Sequence, residues 1–115
     1  MNIQEFYKET DSNYEEAVKR LMNDKFLTRF VKQFPTDPSY PELAAALEAD
    51  DTQKAFLNAH TLKGVCKNLS FTQLADTSSE ITEILRAENL AEAKEYFPKV
   101  KADYDRIIAA LSCLE

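Results

Sequence analysis

Glycine is almost absent from this chain: one residue in 115, with no tryptophan, one histidine and four prolines. Glycine supplies the backbone conformations of tight hairpins and phosphate-binding loops, so this scarcity argues against most β and α/β folds. The sequence has no run of about 20 apolar residues, the length that a membrane-spanning helix needs. Its first residues, Met1–Glu5, do not resemble a signal peptide. We therefore expect a cytoplasmic protein with no membrane association.

The net charge and the cysteines exclude further classes of function. The net charge is −6, and no basic stripe interrupts the acidic composition, so nucleic acid is not an expected partner. Cys66 and Cys113 lie far apart among apolar neighbours, which predicts two reduced, buried thiols. One histidine and two distant cysteines do not make a standard zinc site, so we expect no metal and no cofactor.

Apolar residues recur mostly at helical spacing, and the chain shows no repeat or linker, so we predict one all-α domain over residues 1–115. Short connections favour an antiparallel four-helix bundle over residues 38–114. The short N-terminal helices of residues 1–34 would then cap one end. Among the helix boundaries, we predict that Asp11 or Ser12 caps the second helix and that Ser70 caps the sixth. Pro98 predicts a kink or break in the last helix.

The fifth predicted helix, residues 51–69, carries two different faces. Its buried stripe follows steps of three and four residues: Ala55, Ala59, Leu62, Cys66 and Leu69. Beside that stripe, a second face carries His60, Lys63, Gly64 and Lys67, at successive helical spacings. This second face holds the only histidine and the only glycine of the chain.

The composition of that second face is unusual. A glycine inside a helix costs about 1 kcal/mol relative to alanine, so something should compensate for Gly64. Its missing side chain would leave His60 open to a bulky partner, and the two lysines would hold an anion. A lone histidine and two lysines are nevertheless common on solvated helix surfaces, and spacing alone does not decide between these interpretations.

The segment Ala59-His60-Thr61-Leu62-Lys63-Gly64, followed by Asn68-Leu69, resembles the signature of histidine-phosphotransfer (HPt) domains. The likeness extends to the helix order over most of the chain. It implies that His60 accepts the phosphoryl group, that Lys63 steadies the phosphoryl oxygens, and that Gly64 gives the partner access. Lys67 stands where a further basic residue is often found in the family.

Two positions depart from the family pattern. Ser70 stands where glycine is common, which affects a helix boundary. Thr82 stands where many members have a glutamine or glutamate that orients the histidine ring. Thr82 can accept a hydrogen bond from a ring N–H but reaches less far, so we regard it as a possible ring orienter.

The resemblance implies a monomeric phosphocarrier that relays phosphoryl groups between receiver domains of hybrid histidine kinases and response regulators. The Mg²⁺ of the reaction would belong to the receiver. The chain has no Gly-x-x-x-x-Gly-Lys loop, so we expect no independent ATP-dependent kinase activity. The alternatives are a helical adaptor with the same fold but no phosphotransfer, and a structural subunit with the His60 face buried. The sequence names no upstream kinase, downstream regulator or pathway.

Overall fold

A computed structural model describes all 115 residues and is helical throughout, which confirms the all-α prediction. None of its helices combines the length and apolar composition needed to cross a membrane. The elements are α1 (Ile3–Glu9), α2 (Tyr14–Leu21), α3 (Asp24–Gln33), a 3₁₀ turn (Phe34–Thr36), α4 (Ser39–Glu48), α5 (Thr52–Leu69), α6 (Thr72–Arg86) and α7 (Leu90–Leu111).

The four helices from α4 to α7 form the bundle. Each packs against the next along the chain, and α4 also touches α7, which closes the ring. Tight connections such as Ser70–Phe71 between α5 and α6 force neighbouring helices to run antiparallel. The three N-terminal helices lie on this bundle, with α2 and α3 against α5 and α1 against α7.

One hydrophobic core of 24 buried residues joins the bundle to the N-terminal helices. Phe71 lies at the junction, with its ring centroid 5.9 Å from those of Phe6 and Tyr7 and 5.2 Å from that of Phe34. All four side chains are at most 3% exposed. The N-terminal helices therefore share the core of the bundle and are not a separate layer over it.

Several helix ends differ from the predicted ones. Asn13, and neither Asp11 nor Ser12, caps α2, because its side chain accepts the Glu16 N–H at 3.0 Å. Ser70 ends α5 in a left-handed conformation (φ 57°), and Phe71 precedes α6. The last helix runs from Leu90 to Leu111 with Pro98 inside it, so the break that we predicted as one alternative does not occur.

The two cysteines also differ from each other. Both thiols are free, but only Cys66 is buried, whereas Cys113 is exposed. The prediction was wrong for Cys113, because α7 ends at Leu111 and the chain beyond it leaves the core. Burial, assisted by the charge of Asp37, raises the pKa of the Cys66 thiol, which therefore stays protonated near neutral pH.

Candidate functional site on helix α5

The candidate site lies in the middle of α5, an 18-residue helix with a defined beginning. Asp51 caps its N-terminus by accepting the Lys54 N–H at 3.0 Å. The predicted apolar stripe is buried, with each residue at most 4% exposed: Ala55, Ala59, Leu62, Cys66 and Leu69. Packing of this stripe fixes the rotation of α5 about its axis, and thereby fixes which residues face outward.

The C-terminal end of α5 is tied to the N-terminal helices. The buried Tyr7 hydroxyl donates to the Leu69 carbonyl at 2.6 Å. The Arg20 guanidinium donates to the carbonyls of Lys67 and Asn68 at 2.9 and 2.8 Å. These carbonyls belong to the last turn, where a helix lacks its own partners and favours positive charge. The N-terminal helices thus stabilise the end of the site helix.

Ser70 ends α5 at the position where the family that the sequence resembles commonly has a glycine. Its φ of 57° lies in the left-handed region that favours glycine. The Ser70 hydroxyl donates to the Glu16 carboxylate at 2.9 Å and accepts from Arg20 at 3.0 Å. The hydrogen bond from Ser70, followed by that from Arg20, lowers the pKa of Glu16. Two side-chain hydrogen bonds at Ser70 therefore offset the strain of its backbone conformation.

The face beside the buried stripe carries the predicted residues together. His60, Gly64 and Lys67 are exposed, and Lys63 is half-buried. A Cβ added to Gly64 would meet no atom within 4 Å, and Gly64 has no positive φ. Neither space nor backbone conformation requires a glycine there. The consequence of Gly64 is an open surface one helical turn from the imidazole.

Apolar side chains border this face. Leu57, one turn before the site, is 59% exposed, and Phe30 on α3 is 42% exposed. Phe30, Val65 and Asn68 line the same shallow surface cavity, which places α3 beside the C-terminal half of the site helix. The exposed imidazole therefore has an exposed apolar side chain, Leu57, one turn away, and further apolar surface lies along the C-terminal half of the same helix, a composition that suits contact with another protein.

Thr82 does not orient the imidazole as we predicted. It is fully buried, and its hydroxyl donates to the Ser78 carbonyl at 2.6 Å. No group of the chain makes a hydrogen bond to the His60 ring. The physical reason is that a short hydroxyl inside a helix tends to bond to its own preceding turn.

One further residue near the site, Arg86 at the end of α6, has no signal in the sequence. Its guanidinium carbon lies 4.9 Å from the centroid of the Phe56 ring, and that ring lies 6.1 Å from the ring of His60. Arg86 also pairs with Glu83, because its Nε lies 3.2 Å from both carboxylate oxygens. Arg86 and Phe56 meet only through the packing of α6 against α5, so no local spacing could reveal their relation.

A family model of the Hpt domain matches residues 25–110 of the chain. The protein therefore belongs to the HPt family, whose members carry out histidine phosphotransfer in phosphorelay signalling. The match begins in α3 and covers the four-helix bundle up to Ala110, including every residue of the candidate site. Comparisons with curated proteins and with solved structures gave no significant match.

Proposed function

We propose that this protein relays a phosphoryl group between aspartates of receiver domains, carrying it on His60. The observation that supports this most directly is the placement of the only histidine. It is exposed at the middle of the site helix, one turn from a glycine that the fold does not require. Its partners would be the receiver domains of hybrid histidine kinases and of response regulators.

The transfer needs little from the chain besides position and charge, as is general for phosphoryl transfer. A neutral ring nitrogen of His60 attacks the phosphorus of an aspartyl phosphate in line. The N–P bond forms as the O–P bond breaks, and the aspartate leaves as a carboxylate while the other ring nitrogen keeps its proton. The Lys63 ammonium, with Lys67 in support, offsets the charge on the phosphoryl oxygens. The receiver supplies the Mg²⁺, and the reverse reaction passes the group to a second aspartate.

The shape of the site fits a protein substrate. A surface depression of about 690 Å³ lies at α1 and α2 and does not include His60. A histidine on an open helix face has no pocket in which to hold a small molecule. A receiver domain instead brings its own acidic pocket, which the two lysines and the exposed Leu57 would meet.

The test is transfer of label from a radiolabelled phospho-receiver in the presence of Mg²⁺. We expect the wild-type protein to gain acid-labile, base-stable label and His60→Gln to gain none while keeping its helical circular dichroism. Labelled ATP alone should leave both unlabelled. If the protein binds a broad panel of receivers but accepts label from none, it is an adaptor. Labelling by ATP alone would contradict both interpretations.

A further inference from the structure

The imidazole of His60 is held on one side only. It is exposed and makes no hydrogen bond within the chain, and Thr82 is occupied with the Ser78 carbonyl. The one aromatic ring beside it is Phe56, one helical turn earlier. Their ring centroids are 6.1 Å apart and the planes are tilted by 49°, within the range in which aromatic rings interact.

Phe56 is itself held between two helices. Its ring is half-buried and packs against the hydrophobic core. On its other side lies the Arg86 guanidinium, 4.9 Å from the ring centroid, a cation–π distance that connects α6 to α5. The Nε of Arg86 also donates to the two carboxylate oxygens of Glu83 at 3.2 Å, so the guanidinium contacts both the Phe56 ring and a carboxylate of its own helix.

We infer that Phe56 and Arg86 are positioning residues for His60: the guanidinium fixes the Phe56 ring, and that ring limits the orientations of the imidazole. The contacts of Arg86 with Phe56 and of Phe56 with His60, which we call the stack, take the place of the ring-orienting hydrogen bond that Thr82 does not make. The stack occupies the α6 side of His60 and leaves the side of Gly64 free for the receiver. The consequence for transfer rests on the proposed function, but the effect on the ring itself does not.

The chain is well suited to a direct test, because His60 is its only histidine. Its imidazole therefore gives single, unambiguous NMR signals. The variants are Phe56→Leu, which keeps an apolar side chain, and Arg86→Met, which keeps a long stem without charge. Matched controls are Phe26→Leu and Arg29→Met on α3, an exposed phenylalanine and an exposed arginine that contact neither ring of the stack.

We expect Phe56→Leu to remove the ring-current shift of the carbon-bound His60 protons. Arg86→Met should move the same signals in the same direction by less, and both controls should leave them in place. The double variant should match Phe56→Leu, because Arg86 acts through Phe56. An unchanged His60 spectrum in Phe56→Leu overturns the inference. Should that variant fail to fold, an unchanged spectrum in Arg86→Met overturns it equally.

Transfer rates from a phospho-receiver give the functional readout. Misplacing the imidazole should slow Phe56→Leu by about tenfold, with a smaller loss in Arg86→Met. If Arg86→Met slows transfer while its His60 spectrum stays that of the wild type, Arg86 acts on the phosphoryl group directly and the positioning inference is wrong. If the wild-type protein accepts no phosphoryl group at all, the proposed function fails, and the NMR comparison still decides the role of the stack.

Discussion

The two faces of α5 differ in what determines their residues. The buried stripe consists of small or apolar side chains, each at most 4% exposed, and close packing against α4 and α6 accounts for all of them. The face beside it holds a glycine with empty space around it and an imidazole with no hydrogen bond. Packing explains none of that face. Exposed histidines and lysines are common on solvated helix surfaces, but a glycine inside a helix costs about 1 kcal/mol relative to alanine, so Gly64 is the residue of this face that favours a functional explanation.

The largest expected effect comes from weakening the buried face. Leu62→Ala should lower the free energy of unfolding by about 2–5 kcal/mol, because Leu62 is 1% exposed and the deletion leaves a cavity. Chemical denaturation followed by circular dichroism measures this difference. Leu57→Ala, at 59% exposure on the same helix, is the matched control and should change stability by no more than about 0.5 kcal/mol. Equal losses in the two variants would show that the faces are not distinct.

The buried face was also the part that the sequence predicted best. Helical spacing found all five residues of the stripe, because burial repeats with the period of the helix. The sequence predicts that α5 begins at Asp50 or Asp51, and it is Asp51 whose side chain caps the first turn. On the exposed face, spacing along the sequence could reveal only residues of α5 itself. His60 and Gly64 were found because a single helical turn separates them.

Prediction from the sequence failed where the packing of two helices, or the position of a chain end, determines the contacts or burial of a side chain. The stack of Arg86 on Phe56 depends on how α6 packs against α5, and the two residues lie thirty positions apart. Thr82 matched the family position for a ring orienter, yet its hydroxyl bonds within its own helix. Cys113 has apolar neighbours but follows the end of α7, where little covers it. In each case tertiary placement overrides local composition.

On the exposed face, a change of charge should affect transfer but leave the fold intact. Lys63→Ala should slow phosphoryl transfer to His60 by about tenfold to a hundredfold, or about 1.4–2.8 kcal/mol in activation free energy. The reason is that the ammonium stabilises developing charge while His60 still forms the bond. Rapid-quench labelling by a phospho-receiver measures the rate. Lys54→Ala, an exposed lysine away from this face of α5, should transfer at the wild-type rate. Complete loss in Lys63→Ala with an intact fold would assign Lys63 a role beyond charge.

The smallest expected effect on stability is at Gly64. It separates the two faces most sharply, because substitutions there should preserve or raise stability while a bulky one slows phosphoryl transfer. Gly64→Ala should raise the free energy of unfolding by up to about 1 kcal/mol, since helix propensity improves. An added Cβ meets no atom within 4 Å, so no steric clash opposes that gain.

Gly64→Leu should fold equally well but slow transfer from a phospho-receiver, because its side chain stands between the imidazole and a bulky partner. Labelling by a small donor such as phosphoramidate should be nearly unaffected in the same variant, since a small molecule can approach around the leucine. Receiver-dependent transfer at the wild-type rate in Gly64→Leu would remove the access role. A loss of stability in Gly64→Ala would show that the fold does need this glycine, and Gly64 would then no longer separate the two faces.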